Sequence, residues 1–311
     1  MALGTALFVL FAPLPLLAFP LAVLLAATPA RGKAALLTGA AGAGISLAWL
    51  LLPGTLPDQL VRAALVLTTG AFVAATVTTR WSFTHRALLA LTVAAVFIGV
   101  LFVTYGWSWD ELAWWVRSRT SYATRLAVSG LRVLTTGSGA GSADAALLGK
   151  EFDAWITTSS EMASMFFPAL VALQILLGLG LATTLYHRIA SNPRGVPLGR
   201  LREFRFSEHL GWAAALPLMI VLLPRMAALK VVASNLLLVT GALYALRGLA
   251  VAVAVAVLAG SGSMTAVFAA IAAFFLLPVA LGGAVLLGVL DAGVDLRRRW
   301  SKPPTSERPW T

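Results

Sequence analysis

The chain has 311 residues, 59% of them hydrophobic and only 11% charged, whereas about a quarter of a soluble domain's residues carry charge. Its 23 basic residues outnumber 12 acids to give a net charge of +11. They gather between and after apolar segments, as in inserted helices with basic cytoplasmic loops and unlike a nucleic-acid-binding face. The absence of cysteine excludes disulfide scaffolds, thiolate metal sites and cysteine nucleophiles. The expected fold is an all-α, polytopic transmembrane helical bundle of about eight spans (seven or eight, at about 20 residues each). It is read as one domain over 1–296, followed by a disordered basic tail over 297–311.

In chain order, the first apolar segment covers 3–28 and is interrupted by Pro13, Pro15 and Pro20. With no basic residues ahead of it, it reads as a retained segment, either one kinked span or an entry piece plus a span. Further spans are expected near 34–52, 60–79 and 87–105. The region 107–161 then fails as a span. It carries five basic and six acidic residues and clusters Trp107, Trp109, Trp114 and Trp115 just past a span, where indoles favour the membrane interface. A helical pattern from 110 to 133, a Gly/Ser run over 136–142 and a second short helix over 145–157 make it a short amphipathic insert.

A fifth span is expected at 162–186. The loop after it holds Arg188, Arg194, Arg200, Arg202 and Arg205 and so marks the cytoplasmic side. The insert then falls outside the cytoplasm. Segments at 210–223, 231–258 and 265–290 complete the eight. Three full crossings would put Arg297, Arg298 and Arg299 outside, against the basic-loop rule. An incomplete or tilted 210–230 segment, with Pro217 and Pro224, resolves the conflict.

Residue types that carry chemistry are sparse. His85, His187 and His209 stand apart beside span ends, with no metal-ligand spacing, so neither a metal nor another cofactor is expected. Ser261 and Ser263 sit in a Gly/Ser turn with no histidine inside a span. Asp291 and Asp295 share a helix face, as the magnesium-holding aspartates of lipid-diphosphate enzymes do. They lack a second carboxylate pair, and an Asp295–Arg299 surface pair explains them more simply. No enzyme activity is therefore expected.

Arg247 falls mid-span, where a charge is costly and normally meets a partner, a cavity or the bundle interior. Thr240 and Tyr244 share its face, with Asn235 and Gln174 as further polar groups. These five are the candidate substrate-binding residues for an anionic or polar solute. The alternative is a structural arginine bonded to backbone carbonyls. With no acid inside an expected span, an intramembrane ion pair is not expected. Small residues suited to close helix packing form one stripe through Gly241 and Gly248 and a second through Ala18, Ala22 and Ala26.

Four stretches bear a family resemblance: Leu201-Arg-Glu-Phe-Arg-Phe, Asn235-Leu-Leu-Leu-Val, Arg247-Gly-Leu-Ala-Val and Leu287-Gly-Val-Leu-Asp-Ala-Gly-Val-Asp-Leu-Arg-Arg. Together they resemble the YybS-like family of bacterial multi-pass membrane proteins, chiefly over 200–299. That family is distantly similar to the substrate-binding S components of energy-coupling vitamin transporters. The resemblance implies a solute-binding or transport component of the bacterial cytoplasmic membrane, with small-residue helix faces meeting a partner. Expected partners are thus the lipid bilayer and either a small-molecule solute or a membrane protein, with no nucleic acid. The alternative function is a non-transporting assembly protein that docks its partner through 107–160.

Overall fold

The computed structural model describes residues 12–28, 32–135, 142–206, 210–258, 260 and 276–297. Among them every regular element is helical. Cα proximity divides the chain into two compact units, 1–198 and 199–311, although the sequence reads as one domain over 1–296.

The first unit is built around α1, Pro15–Ala26. Its twelve residues span only ~18 Å at about 1.5 Å per residue, yet Leu16, Leu17, Leu21, Leu24 and Leu25 are all buried. It is a central plug, clasped by α2 (Lys33–Leu51), α3 (Leu56–Thr78) and α7 (Phe167–Ile189). Phe72 and Val73 of α3, and Ile175, Leu179 and Tyr186 of α7, close the core. α3 starts where Thr55 and Asp58 form a reciprocal capping box behind Pro57, which satisfies two otherwise orphaned amides. α4 (Phe83–Thr104) follows with Ser82 as its N-cap.

The insert departs from expectation. It is two long helices, α5 (Trp109–Thr135) and α6 (Ser142–Met165), of 27 and 24 residues, packed on each other. α5 alone reaches ~40 Å at about 1.5 Å per residue. Helix α6 also absorbs the expected start of the fifth span: α7 begins only at Phe167, with proline in its first turn. Pro168 has no amide proton to continue a helix but is at home at a helix start, so proline sets the boundary and hydropathy does not. The base of the hairpin is anchored by Leu112 and Val116 against Leu60, Phe102 and Phe167, and by an Arg119–Asp58 ion pair.

The second unit contains α8 (Leu210–Leu222), α9 (Lys230–Leu258) and α10 (Leu277–Val294), with short 3-10 turns at Leu201–Glu203 and Pro224–Leu229. α9 packs on both α8 and α10. Where α9 and α10 cross, Gly248 meets the backbone of Ala284 and Gly288 meets the backbone of Tyr244, so closely that a Cβ on either glycine would collide with a carbonyl.

Six helices among the described residues are long and apolar enough to cross a membrane: α2, α3, α4, α7, α9 and α10. α1 and α8 are shorter apolar helices. At thirteen residues, α8 covers ~20 Å of a hydrocarbon core about 30 Å thick. Several expectations lie outside the described residues: the first part of 3–28, the break over 136–141, His209, the turn at Ser261 and Ser263, 265–275, Arg299 and the tail beyond 297.

Candidate functional site

Arg247 does not stand alone in its helix. Its Nε donates to Oδ2 of Asp291 at 2.8 Å, and its NH2 donates to the Asp291 carbonyl at 2.9 Å. The guanidinium also lies over the Phe206 ring, 5.1 Å from its centroid. Arg297 approaches the same carboxylate from the other side, with NH2 donating to Oδ2 at 2.7 Å and Nε to Oδ1 at 3.3 Å. Its remaining protons go to the carbonyls of Arg202 and Phe204, at 2.9 and 3.1 Å. All three side chains are buried, Asp291 completely.

This corrects the expectation that no acid lies inside a span. Asp291 falls just past the expected end at 290, but α10 runs on to Val294 and carries it into the packed interface with α9. Asp295 caps that helix in the left-handed region, at φ 49°, a conformation short polar side chains tolerate. The cap turns the chain so that Arg297 folds back onto Asp291. Asp295 itself pairs with Arg205 at 3.1 Å; its expected partner, Arg299, lies outside the described residues.

The other expected solute contacts are dispersed. Tyr244 packs edge-on against Phe206. Asn235 donates to the Val231 carbonyl, and Thr240 to the Leu236 carbonyl, each four residues back on its own helix. Gln174 is half-buried on α7, in the other unit. The packing stripes are mixed. Ala18 and Ala22 meet Gly42 of α2 and Gly248 meets Ala284, while Gly241 has open space around it and Ala26 is exposed.

Two features of the first unit escape the sequence reading. The hydroxyls of Thr68, Thr69 and Thr183 are fully buried and have no hydrogen-bond partner. By contrast, Thr76, Thr78, Thr79, Thr92, Thr104 and Thr184 each donate to a carbonyl four residues back. The second feature is Arg86. It is wholly buried, with NH1 on the Thr76 hydroxyl at 2.9 Å, NH2 on the Val196 carbonyl at 2.8 Å and its face over Phe72. No carboxylate pairs with it among the described residues. The sequence signal for it was weak, because an arginine three residues into a span looks like an ordinary flanking charge. No group of three or more His, Asp or Glu side chains suited to a metal ion occurs among the described residues.

A family model described as "Predicted membrane protein (DUF2232)" matches residues 2–292. Neither a curated protein nor a solved structure matches the chain.

Proposed function

As the chain belongs to this family of predicted membrane proteins, we propose that it is a solute-binding component of a membrane transport system, with its polar contacts inside the first unit. One observation carries the reading. Thr68 and Thr69 near the middle of α3, and Thr183 on α7, hold buried hydroxyls without partners in an otherwise apolar bundle. An unsatisfied buried hydroxyl costs about 1–3 kcal/mol. A helical threonine ordinarily discharges that cost onto its own backbone, as six neighbours here do. Hydroxyls left unspent are available to a polar solute, and binding one recovers the cost. The YybS-like resemblance and the distant likeness to vitamin-transporter S components fit this reading. Arg247 does not carry it, because its donors are already engaged by Asp291 and backbone carbonyls.

The test replaces all three threonines by valine, which keeps the side-chain shape and removes the hydroxyl. Protein extracted from native membranes is denatured and the released small molecules are measured by mass spectrometry. The wild-type chain should release one polar compound in near-stoichiometric amount, and the folded triple variant should release little or none. Equal yields from both proteins, or none from either, would overturn the reading.

A second reading is favoured by the α5–α6 hairpin. Trp114, Tyr122, Leu126 and Trp155 are all exposed on it, away from the base that packs on the bundle. In that reading the hairpin seats a membrane protein partner. Alanine at Trp114 and Trp155 would then abolish a crosslinked complex in intact membranes while leaving the triple-valine phenotype untouched.

A further inference from the structure

Arg86 sits beneath an open cleft of about 390 Å³ lined by Thr76, Thr79, Arg80, Arg194, Gly195 and Val196 among others. Two of these residues, Thr76 and Val196, are its own hydrogen-bond partners. Its Nε is buried and has no partner. Arg80 and Arg194 stand exposed at the cleft itself.

The loop that forms one wall is held from below. The Arg194 amide donates to the Tyr186 hydroxyl at 2.7 Å, His187 Nε2 lies 3.4 Å from the Gly195 carbonyl, and Arg86 holds Val196. Gly195 takes φ 79°, and a Cβ there would run into the Arg86 guanidinium. The close approach of backbone to cation therefore needs glycine.

The charge inventory at this end of the unit is one-sided. Residues 76–87 and 186–198 include Arg80, Arg86, Arg188 and Arg194 and contain no acid. The described acids of the unit belong to the start of α3 and to α5–α6: Asp58, Asp110, Glu111, Glu151, Asp153 and Glu161. Opposing these cations, the C-terminus of α3 contributes roughly half a negative charge. A net positive potential remains in a cleft with threonine and guanidinium groups on its walls, and guanidinium forks match phosphate oxygens well.

We propose that this cleft binds a phosphate group. Its source is either an anionic lipid headgroup, as basic pockets between membrane helices recognise, or a free phosphate in the adjoining aqueous phase. The site is independent of the threonine hydroxyls and of the solute reading.

The test uses the full chain with Arg80 and Arg194 both changed to Gln. Both are exposed, so the double variant should unfold at the wild-type temperature without ligand. Thermal unfolding is followed in phosphatidylcholine nanodiscs with increasing phosphatidylglycerol, and separately with inorganic phosphate against sodium chloride of equal ionic strength. The wild-type midpoint should rise in a saturable way in at least one arm, and the double variant should need at least tenfold more ligand for the same rise. A rise with phosphatidylglycerol alone identifies the headgroup as the source. A rise with inorganic phosphate identifies the free anion. No rise in either arm, an equal rise in both proteins, or a rise matched by chloride would overturn the proposal.

Discussion

At the scale of the residue, Asp291 is the member of the buried cluster that cannot be spared. It faces two guanidiniums, so the three side chains together carry one positive charge, which the carbonyls of Arg202, Phe204 and Phe206 help to absorb. Removing either arginine leaves Asp291 paired with the other and the group neutral. Removing the carboxylate leaves two buried cations facing each other. Breaking a buried pair by deleting one partner costs about 3–5 kcal/mol. Asp291→Asn should therefore lower stability by about that much, while Arg247→Leu and Arg297→Leu each cost less. Denaturant unfolding of the three variants in one detergent checks the order; an Arg247→Leu loss equal to that of Asp291→Asn would refute it. Arg247 itself was legible in the sequence as a charge deep in an apolar segment. Its partner was not, since Asp291 is 44 residues away and falls one residue beyond where hydropathy alone ends the span. Arg297 was less legible still, because it reaches Asp291 only through the left-handed turn at Asp295.

At the scale of the element, the crossing of α9 and α10 depends on two glycines. Alanine at Gly248 or Gly288 would drive a Cβ into a backbone carbonyl, and a carbonyl cannot rotate out of the way as a side chain can. Overpacking of this kind costs about 1–3 kcal/mol, so each substitution should lower the unfolding midpoint. Gly241 has nothing within reach of a Cβ, and alanine there should leave stability unchanged or raise it by up to about 1 kcal/mol through helix propensity. A fall at Gly241 matching that at Gly248 would remove the packing explanation. The sequence put both glycines on one small-residue stripe, and only the partner helix tells them apart. Hydropathy located all eight apolar segments, because twenty or so apolar residues can bury their backbone in lipid only as helix. The extent of α5 and α6 was hidden, since mixed Arg, Trp and Ser composition leaves no clean period and the boundary at Phe167 comes from a proline within an otherwise continuous pattern.

At the scale of the whole molecule, the first unit has chemically opposite ends. One end bears the α5–α6 hairpin, with the unit's described acids, its exposed indoles and the Arg119–Asp58 pair. The other bears Arg80, Arg86, Arg188 and Arg194 without an acid. α7 separates them, with Glu161 before it and Arg188 at its last turn; its 23 residues cover ~35 Å at about 1.5 Å per residue, enough to cross the hydrocarbon core. The basic end should face the cytoplasm and the hairpin the opposite side. Both the solute reading and the phosphate cleft depend on that crossing. The chain has no cysteine, so one introduced thiol reports on one position. Ser129 on α5 and Ser191 after α7 are both exposed and sit at opposite ends of the unit. The measurement is labelling of Ser129→Cys and Ser191→Cys by a membrane-impermeant maleimide, on intact cells and after permeabilisation. Ser129→Cys should label on intact cells, and Ser191→Cys only after permeabilisation. Equal labelling of the two on intact cells, or labelling of Ser191→Cys alone, would contradict the account.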